Sequence, residues 1–173
     1  MKVAAAIETL EQSVRDPSAG LPDEVFYYIS KTTPLINVDL LITDGAGRVL
    51  LAWRDDKYSG TGWHVPGGIV RFKETLEQRI REVARTEIGA AVEFSRVPVA
   101  VTQFIRSDRD VRGHFISLLY VCRLAPDFEP ENVPHPEGVP GFLKWHDQCP
   151  ADLLEVQDPY REYIEAAVGQ VAR

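Results

Sequence analysis

The sequence is poor in the features that mark several large classes of protein. Its 173 residues include two cysteines, Cys122 and Cys149, which are too few for a disulfide framework. We expect free thiols in a reducing compartment. No apolar run approaches the length of a membrane span, and the N-terminal residues become too polar after Ile7 for a signal peptide. These absences predict a cytoplasmic protein that does not enter a membrane.

Positive charge is also scarce. The chain has 26 acidic and 19 basic residues, for a net charge of −7, and its basic residues do not cluster with aromatic ones. Binding of nucleic acid through an electrostatic footprint is therefore not expected. A protein of this charge that binds an anionic small molecule must gather some arginines locally. A hydrophobic content of 45% is that of an ordinary globular protein.

The stretch with the most informative pattern is residues 62–90, GWHVPGGIVRFKETLEQRIREVARTEIGA. It predicts a short strand, a glycine turn and a helix over residues 75–88. On a helical period, Glu87 shares an apolar stripe with Leu76, Ile80 and Val83. A carboxylate on such a stripe must be paired, hydrogen-bonded or bound to a metal. Together with a backbone carbonyl of the turn at Gly67 it suits a hard cation such as Mg²⁺.

This stretch resembles the Nudix box, which is Gly, five residues, Glu, seven residues, then Arg-Glu-apolar-any-Glu-Glu-any-Gly-apolar. The matching positions are Gly68, Glu74, Glu87, Gly89 and Ala90. Glu82, Val83 and Thr86 stand where the box has its Arg and two further acids. A box that keeps only the last of its three helix acids is similar to the GDP-mannose mannosyl hydrolase branch of the Nudix superfamily. The resemblance implies that Glu87 and the Gly67 carbonyl hold Mg²⁺ or Mn²⁺.

Two residues upstream of the box carry the resemblance to the substrate site. Asp39 lies on an otherwise apolar strand, and the alternatives for it are a cleft or hydrogen bonds to a neighbouring loop; it matches an acid that contacts the nucleotide sugar in the family. Arg54 ends an apolar strand, where it is either solvated or poised to bind phosphate bidentately. It matches an Arg that the family uses on the diphosphate.

Other positions of the substrate site match the family less well. Ile69 replaces the Arg that follows the double glycine in the family, so Arg71 is the nearest cation. His114 and Phe115 align with a His-aromatic pair whose aromatic residue is usually Tyr. These three residues, Arg71, His114 and Phe115, are predicted to contact substrate.

The general base has no direct match. The family carries it in a Gln-His pair before the last strand, and this chain has no such pair. The proline-rich, acidic segment 125–140 offers His135 and Glu137 instead. Either has suitable chemistry for a base, and simple exposure in a polar loop is the alternative for each.

The resemblance implies an α/β fold of the Nudix type, an α/β/α sandwich with a mixed sheet between helices. We expect an N-terminal helical extension over residues 1–20, either a dimer-interface or packing arm or a substrate lid, and a single Nudix domain over residues 21–173. A closing helix is predicted over residues 160–171.

The implied function is Mg²⁺-dependent hydrolysis of a nucleoside diphosphate sugar such as GDP-mannose by a cytoplasmic homodimer, with Arg54 aiding catalysis. The products would be the nucleoside diphosphate and the sugar. Two alternatives stay open at this point. One is a Nudix pyrophosphohydrolase that attacks phosphorus, and the other is a Nudix-like module that binds a nucleotide without hydrolysing it.

Overall fold

The computed structural model describes residues 2–133 and 135–168. Within that part of the chain an eight-stranded sheet is combined with helices on both faces. The helices are α1 (Val3–Ser13), α2 (Asp23–Thr32), α3 (Leu76–Val83), a π-helical turn (Ala84–Ile88), a 3₁₀ helix (Glu155–Tyr160) and α4 (Arg161–Ala167). The strands are β1 (Leu35–Thr43), β2 (Val49–Asp56), β3 (Gly60–His64), β4 (Gly67–Ile69), β5 (Glu93–Phe94), β6 (Ala100–Ile105), β7 (His114–Arg123) and β8 (Leu143–His146).

Strand β1 is the centre of the sheet, as its nearly continuous apolar sequence predicts for a strand covered on both faces. It runs parallel to β7 along its whole length, and the remaining pairs are antiparallel, so the sheet is mixed. On its other side β1 changes partner. Residues 42–43 pair with β2, whereas residues 37–39 pair with β4. Strand β2 therefore diverges from β1 and opens a cleft between them.

Two apolar layers enclose the sheet. On one face α3 and the π-turn bury Ile80, Val83 and Ile88 against β1, β2 and β7. On the other face the 3₁₀ helix and α4 bury Tyr160 and Ile164. The predicted α/β/α sandwich with a mixed sheet is confirmed. Apolar burial of this kind contributes about 25 cal/mol per Å² removed from water.

The box helix begins at a capping box, in which Thr75 and Gln78 satisfy each other's backbone N–H groups. It ends at Gly89, whose φ of 75° makes a left-handed cap. The prediction of one α-helix over residues 75–88 is wrong in its last turn, which is π-helical. The wider turn makes Ile88 the buried residue and leaves Glu87 at the edge of the apolar face.

Other differences concern the ends of elements. Strand β2 continues to Asp56, so only three residues connect it to β3. Helix α4 ends at Ala167, and residues 169–171 of the predicted closing helix lie outside the described residues. Helix α1 forms as predicted and has no buried residue. Nowhere in the described chain is a helix both long and apolar enough to cross a bilayer.

Candidate functional site

Two cavities share a wall at the end of β2. The smaller lies where β1 and β2 diverge, and the larger lies between β2, the π-turn and the segment that precedes β8. The larger has a volume of about 890 Å³ and the smaller about 230 Å³. Arg54 on β2 and His64 at the end of β3 line both of them. Because a strand points alternate side chains to one face, Ala52, Arg54 and the His64 paired with Ala52 all face this wall.

Glu87 lies in the larger cavity, on the π-turn. Burial raises the pKa of this carboxyl to about 7, against the opposing effects of the Arg54 guanidinium and the Gly67 N–H, which donates to it. The Asp39 carboxylate raises the pKa further. A carboxylate held in this way gains from a bound cation, since the cation compensates the charge that burial disfavours.

Gly67 faces Glu87 with its backbone. The ladder bonds to β1 run through the carbonyl of Pro66 and the N–H of Val70, so the N–H and carbonyl of Gly67 point away from β1. A Cβ at Gly67 would overlap Oδ1 of Asp39 and lie 2.7 Å from the carbonyl oxygen of Val38. The close approach of β4 to β1 therefore requires glycine at this position.

The donor set at this point fits a hard divalent cation. It consists of the Glu87 carboxylate and the neighbouring Gly67 carbonyl, both oxygen ligands of the kind that Mg²⁺ and Mn²⁺ prefer. Across residues 2–133 and 135–168, no group of three or more His, Cys, Asp or Glu side chains is placed to hold a metal. The protein would thus supply few ligands and leave the other positions to water and phosphate.

Asp39 lies in the smaller cavity, where 4% of its surface is exposed. The Tyr160 hydroxyl donates to Oδ2 at 2.6 Å and the Asn37 amide donates to Oδ1 at 2.7 Å. Burial raises the pKa of Asp39 to about 6, although the hydrogen bonds from Tyr160 and Ser117 oppose the rise. Asp39 therefore lines the cleft, and its hydrogen bonds come from the 3₁₀ helix and from strands of the sheet instead of from a neighbouring loop.

Three arginines converge on the smaller cavity. Arg54 is joined there by Arg109 and Arg112, from the connection between β6 and β7. Arg54 contacts Asp56 at 3.6 Å, whereas Arg109 and Arg112 have no carboxylate within 4.0 Å among the residues described. This is the local gathering of positive charge that an acidic protein needs for an anionic ligand.

Aromatic side chains complete the smaller cavity, which Tyr58, Phe104 and Phe115 line. The Arg112 guanidinium lies 5.0 Å from the ring centroid of Tyr58, and its backbone adopts a φ of 54°. The Arg112 N–H donates to the Ser30 hydroxyl at 3.1 Å, which fixes this strained residue against α2. Stacked cations and rings of this kind suit a planar, anionic ligand such as a nucleotide.

His64 is neutral in the wall between the cavities. Its Nδ1 lies 2.7 Å from the Ala52 carbonyl, which only accepts, so Nδ1 carries the proton. Burial, with a further effect from Arg54, lowers the pKa of His64 to about 3. Nε2 is buried and has no hydrogen-bond partner in the part of the chain described.

The other three residues that were predicted to contact substrate do not all line the two cavities. Phe115 lines the smaller cavity, whereas its neighbour His114 lies outside both cavities, with Nε2 3.0 Å from the Gln103 amide. Arg71 also lies outside them and donates to the Ser18 carbonyl at 3.4 Å. Of these three, only Phe115 is brought to the cleft.

The two candidate bases are separated. His135 lines the larger cavity together with Arg54 and Glu87, and its ring packs against Gly141. Glu137 does not line that cavity; it is exposed and lies 3.4 Å from Lys144 Nζ.

The segment that carries His135 is joined to β8 by hydrogen bonds just before this residue. The Asn132 side chain both donates to the Leu143 carbonyl at 2.9 Å and accepts from its N–H at 2.8 Å. The same segment brings a row of acids to the larger cavity, namely Asp127, Glu129 and Glu131.

Comparison with known proteins places the chain in a family. The NUDIX domain model matches residues 33–166. The low-salt glycan biosynthesis protein Agl8 of Haloferax volcanii is 38% identical over 115 residues, which cover 64% of this chain and 72% of that protein.

Two solved structures have a similar fold. A possible asymmetric diadenosine tetraphosphate hydrolase from Jonesia denitrificans superposes with a TM-score of 0.62 at 18% identity, covering 82% of this chain and 99% of that one. A UDP-X diphosphatase superposes with a TM-score of 0.56 at 18% identity, covering 98% of this chain and 81% of that one. At these identities the likeness shows the fold alone.

Proposed function

This chain belongs to the Nudix family, and from that premise we propose that it hydrolyses a nucleoside diphosphate sugar to the nucleoside diphosphate and the free sugar. One observation carries the proposal. Arg54 stands in the wall between a cavity with arginines and aromatic rings and a cavity that holds Glu87 and His135. A diphosphate that crosses this wall would place a nucleoside on one side and the reacting bond on the other.

The smaller cavity supports binding of the nucleotide end. Arg109 and Arg112 add charge to that of Arg54, and hydrogen bonds between guanidinium groups and phosphate are about twice as strong as neutral ones. Tyr58 and Phe115 offer apolar surface to a base or ribose. The glycan biosynthesis role in the name of the relative Agl8 is also in keeping with a nucleotide sugar.

Glu87 and the Gly67 carbonyl are the residues that would hold Mg²⁺ or Mn²⁺. A bound divalent cation neutralises charge on phosphate oxygens and so stabilises a departing nucleoside diphosphate. Arg54 acts on the same negative charge from the wall of the cavity. Its planar, permanently charged fork orients two phosphate oxygens at once.

His135 is our choice for the general base, in preference to Glu137, because it lines the cavity that holds Glu87. It takes a proton from water, whose oxygen bonds to the anomeric carbon of the sugar. The bond between that carbon and the phosphate oxygen breaks, and its electron pair leaves with the nucleoside diphosphate. Attack at phosphorus usually draws on more helix carboxylates than the single Glu87 beside Gly67.

Hydrolysis in oxygen-18 water tests this assignment. We expect the label in the released sugar, after correction for exchange with solvent, and none in the nucleoside diphosphate. Label in a phosphate product, with nucleoside monophosphate and sugar phosphate released together, would instead establish a pyrophosphohydrolase. Tight nucleotide binding without any turnover would establish the binding module.

We also propose that the protein is a cytoplasmic homodimer in which α1 contacts the second copy. Val3, Ile7 and Leu10 form an apolar stripe on this helix and are 76%, 49% and 40% exposed. Sedimentation of the full chain and of a variant lacking residues 1–20 tests the contact. A full chain that sediments as a monomer would refute it.

A further inference from the structure

The segment that precedes the 3₁₀ helix runs beside β3, on the edge that faces away from β2. The Trp63 N–H donates to the Asp152 carbonyl at 3.0 Å, and the Leu154 N–H donates to the Trp63 carbonyl at 2.9 Å. Trp63 and Leu153 form a parallel bridge between these two hydrogen bonds. The segment therefore acts as one more short strand beside β3, although it comes from the C-terminal part of the chain.

Gln157 continues this ladder with its side chain. Its Oε1 accepts from the Val65 N–H at 2.6 Å, and its Nε2 donates to the Val65 carbonyl at 3.4 Å. Gln157 is 9% exposed and Val65 is 1% exposed. The side-chain amide thus gives Val65 the acceptor and the donor that a neighbouring strand would give. Because a buried backbone N–H needs a partner, this amide fixes the backbone of Val65.

The backbone of Val65 leads directly into residues 65–67, which we call the metal turn because it ends at the Gly67 carbonyl. Pro66 has a φ fixed by its ring, and its carbonyl accepts from the Leu40 N–H at 2.8 Å. The residue before a proline is restricted as well. Few backbone torsions therefore remain free between Val65 and Gly67, so a displacement of Val65 is passed on to the Gly67 carbonyl.

Tyr160 fixes the other end of the same 3₁₀ helix. Its fully buried side chain donates a hydrogen bond to Oδ2 of Asp39 at 2.6 Å. Oδ1 of Asp39 packs against Gly67, where an added Cβ would overlap it. The 3₁₀ helix thus reaches the metal turn at both of its ends.

We infer that Gln157 is a positioning residue for the divalent cation. It holds the metal turn so that the Gly67 carbonyl stays beside the Glu87 carboxylate and both oxygens bind the same ion. The amide of Gln157 is committed to Val65, so it acts through the turn and does not contact the ion. This inference rests on the metal site of the proposed function, and it adds to that site a residue 92 positions along the chain from Val65.

Binding of Mn²⁺ alone tests the inference. Gln157→Met keeps the approximate volume of the side chain and removes both hydrogen bonds. We expect the Kd for Mn²⁺, measured without nucleotide from the electron paramagnetic resonance signal of the free ion, to rise about tenfold. Gln157→Asn keeps the amide but shortens the side chain by one methylene, and the same rise is expected. An unchanged Kd in either variant, once folded, overturns the inference.

The matched control loses stability far from the metal turn. Leu124 is 4% exposed and lies at the far end of β1, where its N–H donates to the Thr43 carbonyl at 3.0 Å. Leu124→Val and Leu124→Ala remove apolar contacts in steps. Whichever of them melts at the temperature of Gln157→Met should bind Mn²⁺ as tightly as the unmodified protein. An equal rise of Kd in this control would show that lost stability weakens the site, and would overturn the positioning role.

The dependence of turnover on Mg²⁺ gives a second readout. The Mg²⁺ concentration for half-maximal activity should rise about tenfold in Gln157→Met, whereas kcat at saturating Mg²⁺ should be kept. A lower kcat with an unchanged Mg²⁺ requirement would contradict the inference.

The same measurements separate this inference from the proposed function. If Mn²⁺ binding depends on Glu87 and Gln157 but no nucleotide sugar is hydrolysed, the hydrolase fails and the positioning role stands. If nucleotide sugars are hydrolysed and Mn²⁺ affinity does not depend on Gln157, the hydrolase stands and the positioning role is refuted. Mn²⁺ binding that does not depend on Glu87 would remove the site itself, and the inference with it.

Discussion

The substitution Gly141→Ala, which adds one methyl group, tests the role of His135 as general base. Gly141 has a φ of 94°, and its N–H donates to the Trp53 carbonyl at 2.9 Å, which holds this backbone against β2. A Cβ there would lie 3.1 Å from Nδ1 of His135 and 3.2 Å from its Cε1. Because the backbone is held, Gly141→Ala should displace the imidazole by a few tenths of an ångström.

The expected size of the effect follows from that displacement. A misplacement of about 1 Å costs a catalytic group on the order of 10²-fold, so a shift of a few tenths should lower kcat about tenfold. The left-handed backbone adds about 1–2 kcal/mol of strain. For a chain of this length the strain lowers the melting temperature by roughly 2–8 °C.

Gly138 in the same segment provides the control. Its φ is 82°, and a Cβ there would meet nothing within 4 Å. Gly138→Ala should therefore lose the same stability and keep its kcat. We would measure kcat and KM for GDP-mannose, melting by circular dichroism, and the GDP dissociation constant, which neither variant should change. Equal kcat values in the two variants would refute the assignment of His135 as base.

Two further substitutions test the buried titratable groups. Since the pKa of Glu87 is raised to about 7 in the folded protein, its stabilising protonation is lost as pH rises through 7. Glu87→Gln should therefore be more stable than the metal-free unmodified protein by about 3 kcal/mol at pH 8 and no more stable below pH 4.5. The variant should also no longer be stabilised by Mn²⁺, and retained Mn²⁺ stabilisation would exclude the ligand role of Glu87. The depressed pKa of His64, about 3, means that its stabilising effect is present above pH 6.5 and lost as pH falls. Denaturant unfolding of His64→Phe and the unmodified protein should show a stability difference that shifts by about 2 kcal/mol between pH 7 and pH 5 in favour of the variant. A pH-independent difference would show that folding does not shift the pKa of His64.

The sheet and the box helix could be predicted because their signals are local. Strand β1 is a long apolar run, and Ile80 and Val83 follow a helical period into the core. The π-turn could not be predicted in the same way. Its residues have ordinary helical character, and the change from four-residue to five-residue hydrogen bonding depends on how the end of the helix packs.

The arginines of the smaller cavity escaped prediction for a different reason. Arg109 and Arg112 lie in the polar connection between β6 and β7. Charged residues are common in such connections and do not by themselves indicate a binding site. Their importance comes from the cleft that the divergence of β1 and β2 creates, which is a property of the topology. A usable signal was the −7 net charge, since it requires that some arginines be gathered at any anion site.

The residues of the altered box still hold its loop and helix together, although two of its metal-binding acids are missing. Glu74 retains an Arg partner although Glu82 occupies the usual Arg position, because Arg79, one helical turn earlier, lies on the same face of α3. Its Nε and Nη2 each lie 2.8 Å from Oε2 of Glu74, and that oxygen also accepts from the Arg71 N–H. The loop before the helix is thus still tied to it, and the turn at Gly67 still meets Glu87. The positions of the two missing acids, Val83 and Thr86, have no such replacement in the described chain, since one is buried among apolar residues and the other bonds the Glu82 carbonyl. The geometry of the box is therefore preserved while two of its three helix acids are lost, which favours chemistry that needs one cation over chemistry that needs several.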